Sequence, residues 1–372
     1  MNGENINKTQ TGPRVLVAPL DWGLGHATRC IPIINHLISN GATVLLAAEG
    51  GCASLLSAEF PQIKILHLDG YRVKYHAGKS GFVAQMFRQL PRLLGAIRSE
   101  NKWLNELIKE ENIDVVISDN RYGLYNSKAY TIIVTHQLRI QTGYDFADSL
   151  IQGIHYRYLR RFNECWVPDE EESPGLGHGL SHPKRLPAME VRYMGLLSRL
   201  QEMEGSKFDF NWLIILSGPE PQRTLWENML LNQHQYFQGP VAILRGLPQG
   251  GGRIDLPAGW TGYDHMPSSL MNELLQSSNK VLCRSGYSTL MDLRAMGKKA
   301  LIVATPGQRE QEYLARKNNG VDGFISADQY GDNWPELLGK LEMTTEPKPA
   351  ETKTGTFIRQ WMDRFLNLQR EK

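Results

Sequence analysis

The stretch from Val281 to Ala315, VLCRSGYSTLMDLRAMGKKALIVATPGQREQEYLA, limits the fold more than any other part of the chain. It reads as strand, tight turn, helix, strand, loop and helix. Val281 to Cys283 is a short apolar run, and Arg284-Ser285-Gly286 breaks it with a glycine that allows close backbone approach. Ser288 and Thr289 start a helix in which Leu290, Leu293 and Met296 recur at helical spacing until Gly297 stops it. Leu301 to Val303 is a buried strand, and Pro306-Gly307 opens a polar loop carrying Gln308, Gln311 and Glu312. The unit belongs to a doubly wound α/β sheet. Its helix points free amide N–H groups and a positive dipole end at the carboxyl ends of parallel strands, where phosphates bind. Asp292, three residues after Thr289, reads either as a ligand there or as a solvated helix residue.

The first half follows the same logic. Arg14 to Leu20 is a strand, Asp21-Trp22-Gly23-Leu24-Gly25-His26 a sharp turn, Ala27 to Ser39 a helix, and Ala42 to Ala48 a returning strand. Gly23 and Gly25 present His26 at a helix start facing a cleft; Thr28 stands where a dinucleotide fingerprint needs its third glycine. His26 reads as a general base or neutral hydrogen-bond donor, or as a capping imidazole without chemistry. Ile113 to Ser118 is a strand ending at Asp119, either an acceptor ligand and partner for His26 or a turn aspartate bonding its own backbone. Tyr130 to Thr135 is another, ending at His136-Gln137. Gly175 to His178 repeats Gly-Leu-Gly-His, but neither strand nor helix flanks it, so the repeat reads as coincidence.

At 372 residues the chain is too long for one ordinary core. The expected division is a loose N-terminus at 1–12, a first domain at 13–200, a hinge at 201–207, a second domain at 208–343, and a linker with an amphipathic helix at 344–372. That helix, with Phe357, Ile358, Trp361, Phe365 and Leu366, is expected to cross back and brace the first domain.

The ordered set Arg284-Ser285-Gly286, Ser288-Thr289, Asp292, Gly297, Pro306 and Gln311-Glu312 resembles the donor-nucleotide signature of family 28 glycosyltransferases, the group of the peptidoglycan lipid-intermediate N-acetylglucosaminyltransferase and the diacylglycerol galactosyltransferases. The resemblance implies the GT-B architecture, two Rossmann-like α/β domains facing across a cleft. It implies that Asp292 holds the ribose of a UDP-sugar, that Ser285, Gly286, Tyr287 and Ser288 hold the diphosphate with Arg284 also on the donor-nucleotide side, and that Gln311 and Glu312 touch the sugar. Ser217, Gly218 and Arg223 resemble a second diphosphate loop, Arg245 falls near the base, and Met266 falls where the backbone meets the nucleotide. The GxGHxxR pattern of Gly23, Gly25, His26 and Arg29 is similar to the N-terminal loop of the family, and equally to that of UDP-sugar hydrolases of the nonulosonic-acid pathway. With His136 these residues form the acceptor side. Two positions depart from the family pattern: Asp292 replaces its usual Glu, and Glu312 its second Gln.

The implied activity is metal-independent, inverting transfer of a hexose or N-acetylhexosamine to a hydroxyl of a lipid-linked or cell-envelope glycan acceptor. His26, oriented by Asp119, is the expected base, and no cofactor beyond the donor substrate is expected. A hydrolase, an epimerase and a noncatalytic nucleotide-sugar-binding protein remain alternatives on the same fold. The net charge of +2 gives no reason to invoke nucleic acid. Four scattered cysteines and the lack of a long apolar run point to a reduced, cytoplasmic chain whose membrane contact is peripheral, at the inner face. The stretch Tyr71 to Lys109 carries Phe82, Val83, Met86, Phe87, Leu90, Leu93, Leu94 and Ile97 among Lys79, Arg88, Arg92, Arg98 and Lys102. It reads as a helix that lies on an anionic bilayer or packs against the core with a solvated basic face.

Overall fold

The computed structural model describes residues 12–71, 82–141, 145–201, 205, 208–331 and 333–370. The expected loose segment at 1–12 therefore falls almost wholly outside the described residues, as do Lys79 and most of the hinge. The first domain runs β1 (Arg14–Pro19), α1 (Leu24–Ser39), β2 (Thr43–Ala48), α2 (Gly50–Glu59), β3 (Ile65–His67), α3 (Phe82–Glu111), β4 (Val115–Asp119), β5 (Tyr130–Val134), α4 (Asp145–Leu159), β6 (Glu164–Val167) and β7 (Glu190–Tyr193). The second runs β8 (Phe210–Ile215), α5 (Gln222–Asn232), β9 (Val241–Leu244), β10 (Trp260–Tyr263), α6 (Ser268–Gln276), β11 (Ser278–Arg284), α7 (Tyr287–Ala295), β12 (Ala300–Val303), α8 (Arg309–Asn318), β13 (Phe324–Ala327), α9 (Trp334–Met343) and α10 (Thr354–Arg370).

Each domain is a parallel sheet between helices. The orders are β3-β2-β1-β4-β5-β6-β7 and β10-β9-β8-β11-β12-β13. Strands covered on both faces must be apolar throughout. β1 and β8 accordingly read RVLVAP and FNWLII, with Val15, Leu16, Val17, Leu213 and Ile214 fully buried. In each sheet the order reverses once, between β1 and β4 and between β8 and β11. At such a point the loops leaving the strand ends diverge and open a crevice for ligands. His26 follows β1 and Asp119 ends β4; Gly218 follows β8 and Gly286 follows β11. The residues selected from the sequence therefore lie at the two topological switch points.

The last helix crosses back as expected. Trp361 meets Trp166 edge to face at 5.2 Å, Phe365 meets Tyr130 at 5.7 Å, and Arg364 pairs with Glu164 and Glu190. Two elements escaped the sequence pattern: α2, whose Gly50-Gly51 start carries no helix signal, and β13, four residues wedged after Gly320 and Gly323. Leu196, Leu197 and Leu200 are buried, so the chain leaving the first domain packs into the molecule. Replacing Trp361 with Ala should lower the unfolding free energy by about 3–5 kcal/mol in a denaturant titration, because the wholly buried ring leaves a large cavity; an unchanged midpoint would show that α10 does not brace the first domain.

Candidate functional site

On the first-domain side the β1–α1 turn brings His26 over the end of β4. Nδ1 of His26 lies 2.9 Å from Oδ2 of Asp119, whose side chain has no solvent exposure. Arg29, one helical turn after His26, donates from Nε to both Asp119 oxygens at 2.9 and 3.0 Å, and from Nη2 to Oδ1. Burial alone would raise the Asp119 carboxyl, but Arg29 and His26 hold it below the usual carboxylate range. His26 moves down, through burial first and the Arg29 charge second. The result is an ionised carboxylate beside an imidazole kept neutral, which is the state a general base requires. His136, at the end of β5, stands 3.4 Å from Arg29 through Nδ1 and completes the acceptor-side group.

The second domain answers across the cleft. Ser288, in the first turn of α7, donates to the Gly25 carbonyl at 2.8 Å, and a Cβ on Gly25 would sit 3.2 Å from its hydroxyl. A side chain here would crowd that hydroxyl, which glycine avoids. Tyr287 stacks face to face on His136 at 3.9 Å and donates to the Pro168 carbonyl at 2.8 Å. Ser285 donates to the Gln311 carbonyl, and Gln311 accepts from the Thr305 amide at 2.8 Å while its own amide nitrogen reaches toward Gly286. The start of α7 therefore meets the β1–α1 turn one residue before His26, with the two domains closed against each other.

The structure distributes the other expected ligands unevenly. Glu312 turns back to accept from the Gly307 amide at 3.0 Å. The acid that enters the cleft from α8 is Glu310, which sequence reasoning missed. It lies 2.8 Å from His136 Nε2 and accepts from Gln137; burial would raise its carboxyl, but the His136 contact and the Arg29 guanidinium hold it low. Nothing local marks Glu310 except its place in the first turn of a helix. Asp292 accepts from Ser198 at 2.7 Å, tying α7 to the chain between the domains, and burial raises its carboxyl.

Arg223 and Arg245 are neutralised within the second domain, Arg223 by Glu220 and Glu227, Arg245 by Glu227 and Asp264. Met266 is buried in the apolar core. Arg284 lies beneath the switch point, its guanidinium 3.9 Å from the Trp226 ring, bonded to the Ala304 carbonyl and Gln329. Burial pushes it down to about 9, and among the described residues no carboxylate pairs with it. The hydroxyl of Thr305, also buried, has no described partner and faces Gly218, whose φ is +106°. Ser217 is half-buried on the same loop.

The repeated Gly-Leu-Gly-His segment is structural. Asp169 accepts from the Leu176 and Gly177 amides and from Ser181, folding a loop that reaches α8 through Gly179 to the Tyr313 hydroxyl at 3.1 Å and through Leu176 to Asn318. Of the expected membrane helix, residues 82–90 are helical and Ile97 is buried beside Leu20 and Tyr71. Among the described residues no helix is long and apolar enough to cross a membrane.

No protein-family model matches the chain, and neither does any curated protein sequence. Solved structures do. The glycotransferase of kitacinnamycin is 12% identical with a TM-score of 0.62, covering 97% of this chain and 99% of its own. Spinosyn rhamnosyltransferase SpnG in complex with thymidine diphosphate is 15% identical with a TM-score of 0.55, covering 95% and 96%. Acinetobacter baumannii MurG is 15% identical with a TM-score of 0.51, covering 97% and 100%. Likeness at these identities carries the fold, which is GT-B, and does not single out family 28 within it.

Because Glu310 is the acid joining α8 to His136 and Gln137, Glu310→Ala should loosen the closed form. Small-angle scattering of the variant is expected to give a larger radius of gyration than the unaltered protein; identical profiles would place the closing force elsewhere.

Proposed function

We propose that this chain is an inverting glycosyltransferase that uses a nucleoside diphosphate sugar, with UDP-sugar as the donor that the resemblance over Val281 to Ala315 implies. The observation that carries the reading is the close approach of the start of α7 to the turn that carries a neutral, Asp119-paired His26. His26 Nε2 takes the proton of the acceptor hydroxyl as its oxygen bonds to the anomeric carbon. The bond from that carbon to the diphosphate breaks, and its electron pair leaves on the phosphate. The first-turn amides of α7 meet the charge that develops there. Arg284 supports this assignment from below: a buried guanidinium without a counter-ion is costly, and a diphosphate above it supplies one. The unpartnered Thr305 hydroxyl supports it at the Gly218 loop.

Within this reading Asp292 binds the ribose hydroxyls, held in place by Ser198. Gln311 meets the sugar, and Glu310 replaces Glu312 as its acidic neighbour. The acceptor is a hydroxyl compound entering beside Trp22, which is exposed at the rim; a lipid-linked or envelope glycan at the inner membrane face is the class the resemblance implies. Water in the acceptor position would give hydrolysis by the same residues. Incubating the protein with labelled UDP- and TDP-sugars, with and without lipid and glycan extracts, separates the outcomes: label on an acceptor supports transfer, free sugar alone replaces it with hydrolysis, and no turnover removes both.

Two outcomes are expected from single substitutions. His26→Ala should lower kcat by roughly 10²–10⁴ while the Kd for UDP stays within a factor of about two, since the imidazole acts on the acceptor; retained turnover would reduce His26 to a structural residue. Asp292→Ala should weaken UDP about 10- to 100-fold by calorimetry, the loss of a charged hydrogen bond, whereas Ser198→Ala should weaken it less. Since burial and Arg29 lower the His26 pKa, the rate should fall on its acid side with a midpoint below 6.5; a midpoint above that would contradict the neutral-base assignment.

A further inference from the structure

Two groups approach the same ring nitrogen of His26. Asp119 Oδ2 lies 2.9 Å from Nδ1, and Arg29 Nη2 lies 2.8 Å from it. Their demands are opposite. A proton on Nδ1 satisfies the carboxylate and repels the guanidinium N–H; a lone pair there accepts from Arg29 and repels the oxygen. In a neutral imidazole the remaining proton then belongs on Nε2, the nitrogen that faces the cleft. Only the first arrangement leaves Nε2 free to accept a proton.

We propose that Arg29 is a positioning residue that sets which nitrogen of His26 carries the proton, by competing with Asp119 for Nδ1. The geometry gives Arg29 two stable engagements. It is also held to Asp119 through Nε, and Nη2, the nitrogen beside Nδ1, itself bonds Oδ1, so turning Nη2 away from Nδ1 toward the carboxylate leaves the Nε bonds in place. The switch therefore needs a small movement of one nitrogen in a buried and otherwise rigid group. In the closed free protein the contact to Nδ1 holds part of the population with Nε2–H, idle as a base. When Arg29 bonds Asp119 alone, Nδ1–H forms and Nε2 is ready. The Arg29 charge also opposes protonation of the ring. The other titratable groups packed around the pair are Cys30 on α1, Cys52 on α2, His136 after β5, Tyr287 on α7 and Glu310 on α8, and the position of the balance includes their fields.

This deepens the base assignment and rests on it only in its kinetic arm. The direct test is nitrogen-15 spectroscopy of histidine-labelled full-length protein, with the His26 signals identified by their loss in His26→Asn. The unaltered protein is expected to show a neutral His26 ring with a measurable Nε2–H fraction at pH 6.5. Arg29→Lys keeps a positive charge on Asp119 but lacks the forked second donor, and it should shift the ring toward Nδ1–H. Arg29→Met should in addition raise the His26 pKa by about one unit or more, because Asp119 then acts unopposed. A charged ring in the unaltered protein at pH 6.5, or an unchanged tautomer ratio in Arg29→Lys, would overturn the proposal even if Arg29→Met fails to fold. In kinetics, Arg29→Lys should move the acid limb of the pH–rate profile, whereas a merely structural role would lower kcat evenly at all pH values. If no sugar nucleotide turns over, the spectroscopic arm still decides.

Discussion

The account depends on the approach of two turns: the β1–α1 turn at Gly25 and the start of α7 at Ser288, joined by a single hydrogen bond. Each turn leaves a strand of its sheet at the position where strand order reverses. A Cβ on Gly25 would lie 3.2 Å from the Ser288 hydroxyl and so crowd the bond that joins the turns. Closure is reinforced along the rest of the seam. Tyr287 stacks on His136, Glu310 joins His136 and Gln137, Tyr313 meets Gly179, and Ser198 holds Asp292. The hydrogen bonds among these are partly buried, and their donors and acceptors meet only while the domains stay together.

The same seam explains the distribution of charge. In the first domain a buried cation and a buried carboxylate neutralise each other and fix an uncharged imidazole between them. In the second, Arg223 and Arg245 are neutralised by acids of their own domain, whereas among the described residues Arg284 meets the Ala304 carbonyl, Gln329 and the Trp226 ring but no carboxylate. In the proposed reading a bound anion at the β8–β11 switch point would be its counter-ion, with the chemistry at the β1–β4 one.

Much of the architecture was legible because alternating apolar runs and glycine turns are local signals. β1, β4, β8, β11 and β12 announce themselves by short apolar runs, and α10 by its aromatic stripe. β13 and α2 were not legible: four residues between glycines and a Gly-Gly helix start carry too little pattern. At the site, His26, Asp119 and Gly25 were readable from strand ends and turns. Glu310 was not, since its partners lie more than 170 positions away on another domain. Arg223 misled for a different reason. It reads as a phosphate ligand from its place after a turn, yet Glu227 stands four residues on, at the spacing that pairs charges along a helix. The second Gly-Leu-Gly-His shows the opposite case, a motif with no local meaning that acquires one through Asp169 and α8.

The central claim is that one anion site at the start of α7 is opposed by His26 in the same cleft. Hydrogen–deuterium exchange with and without UDP measures this most directly. The account expects nucleotide to slow exchange at the amides of 286–289 and along the β8–α5 turn at 217–222, and to affect 23–26 through the seam. Protection confined to other surfaces, or no protection at 286–289 under saturating nucleotide, would contradict it.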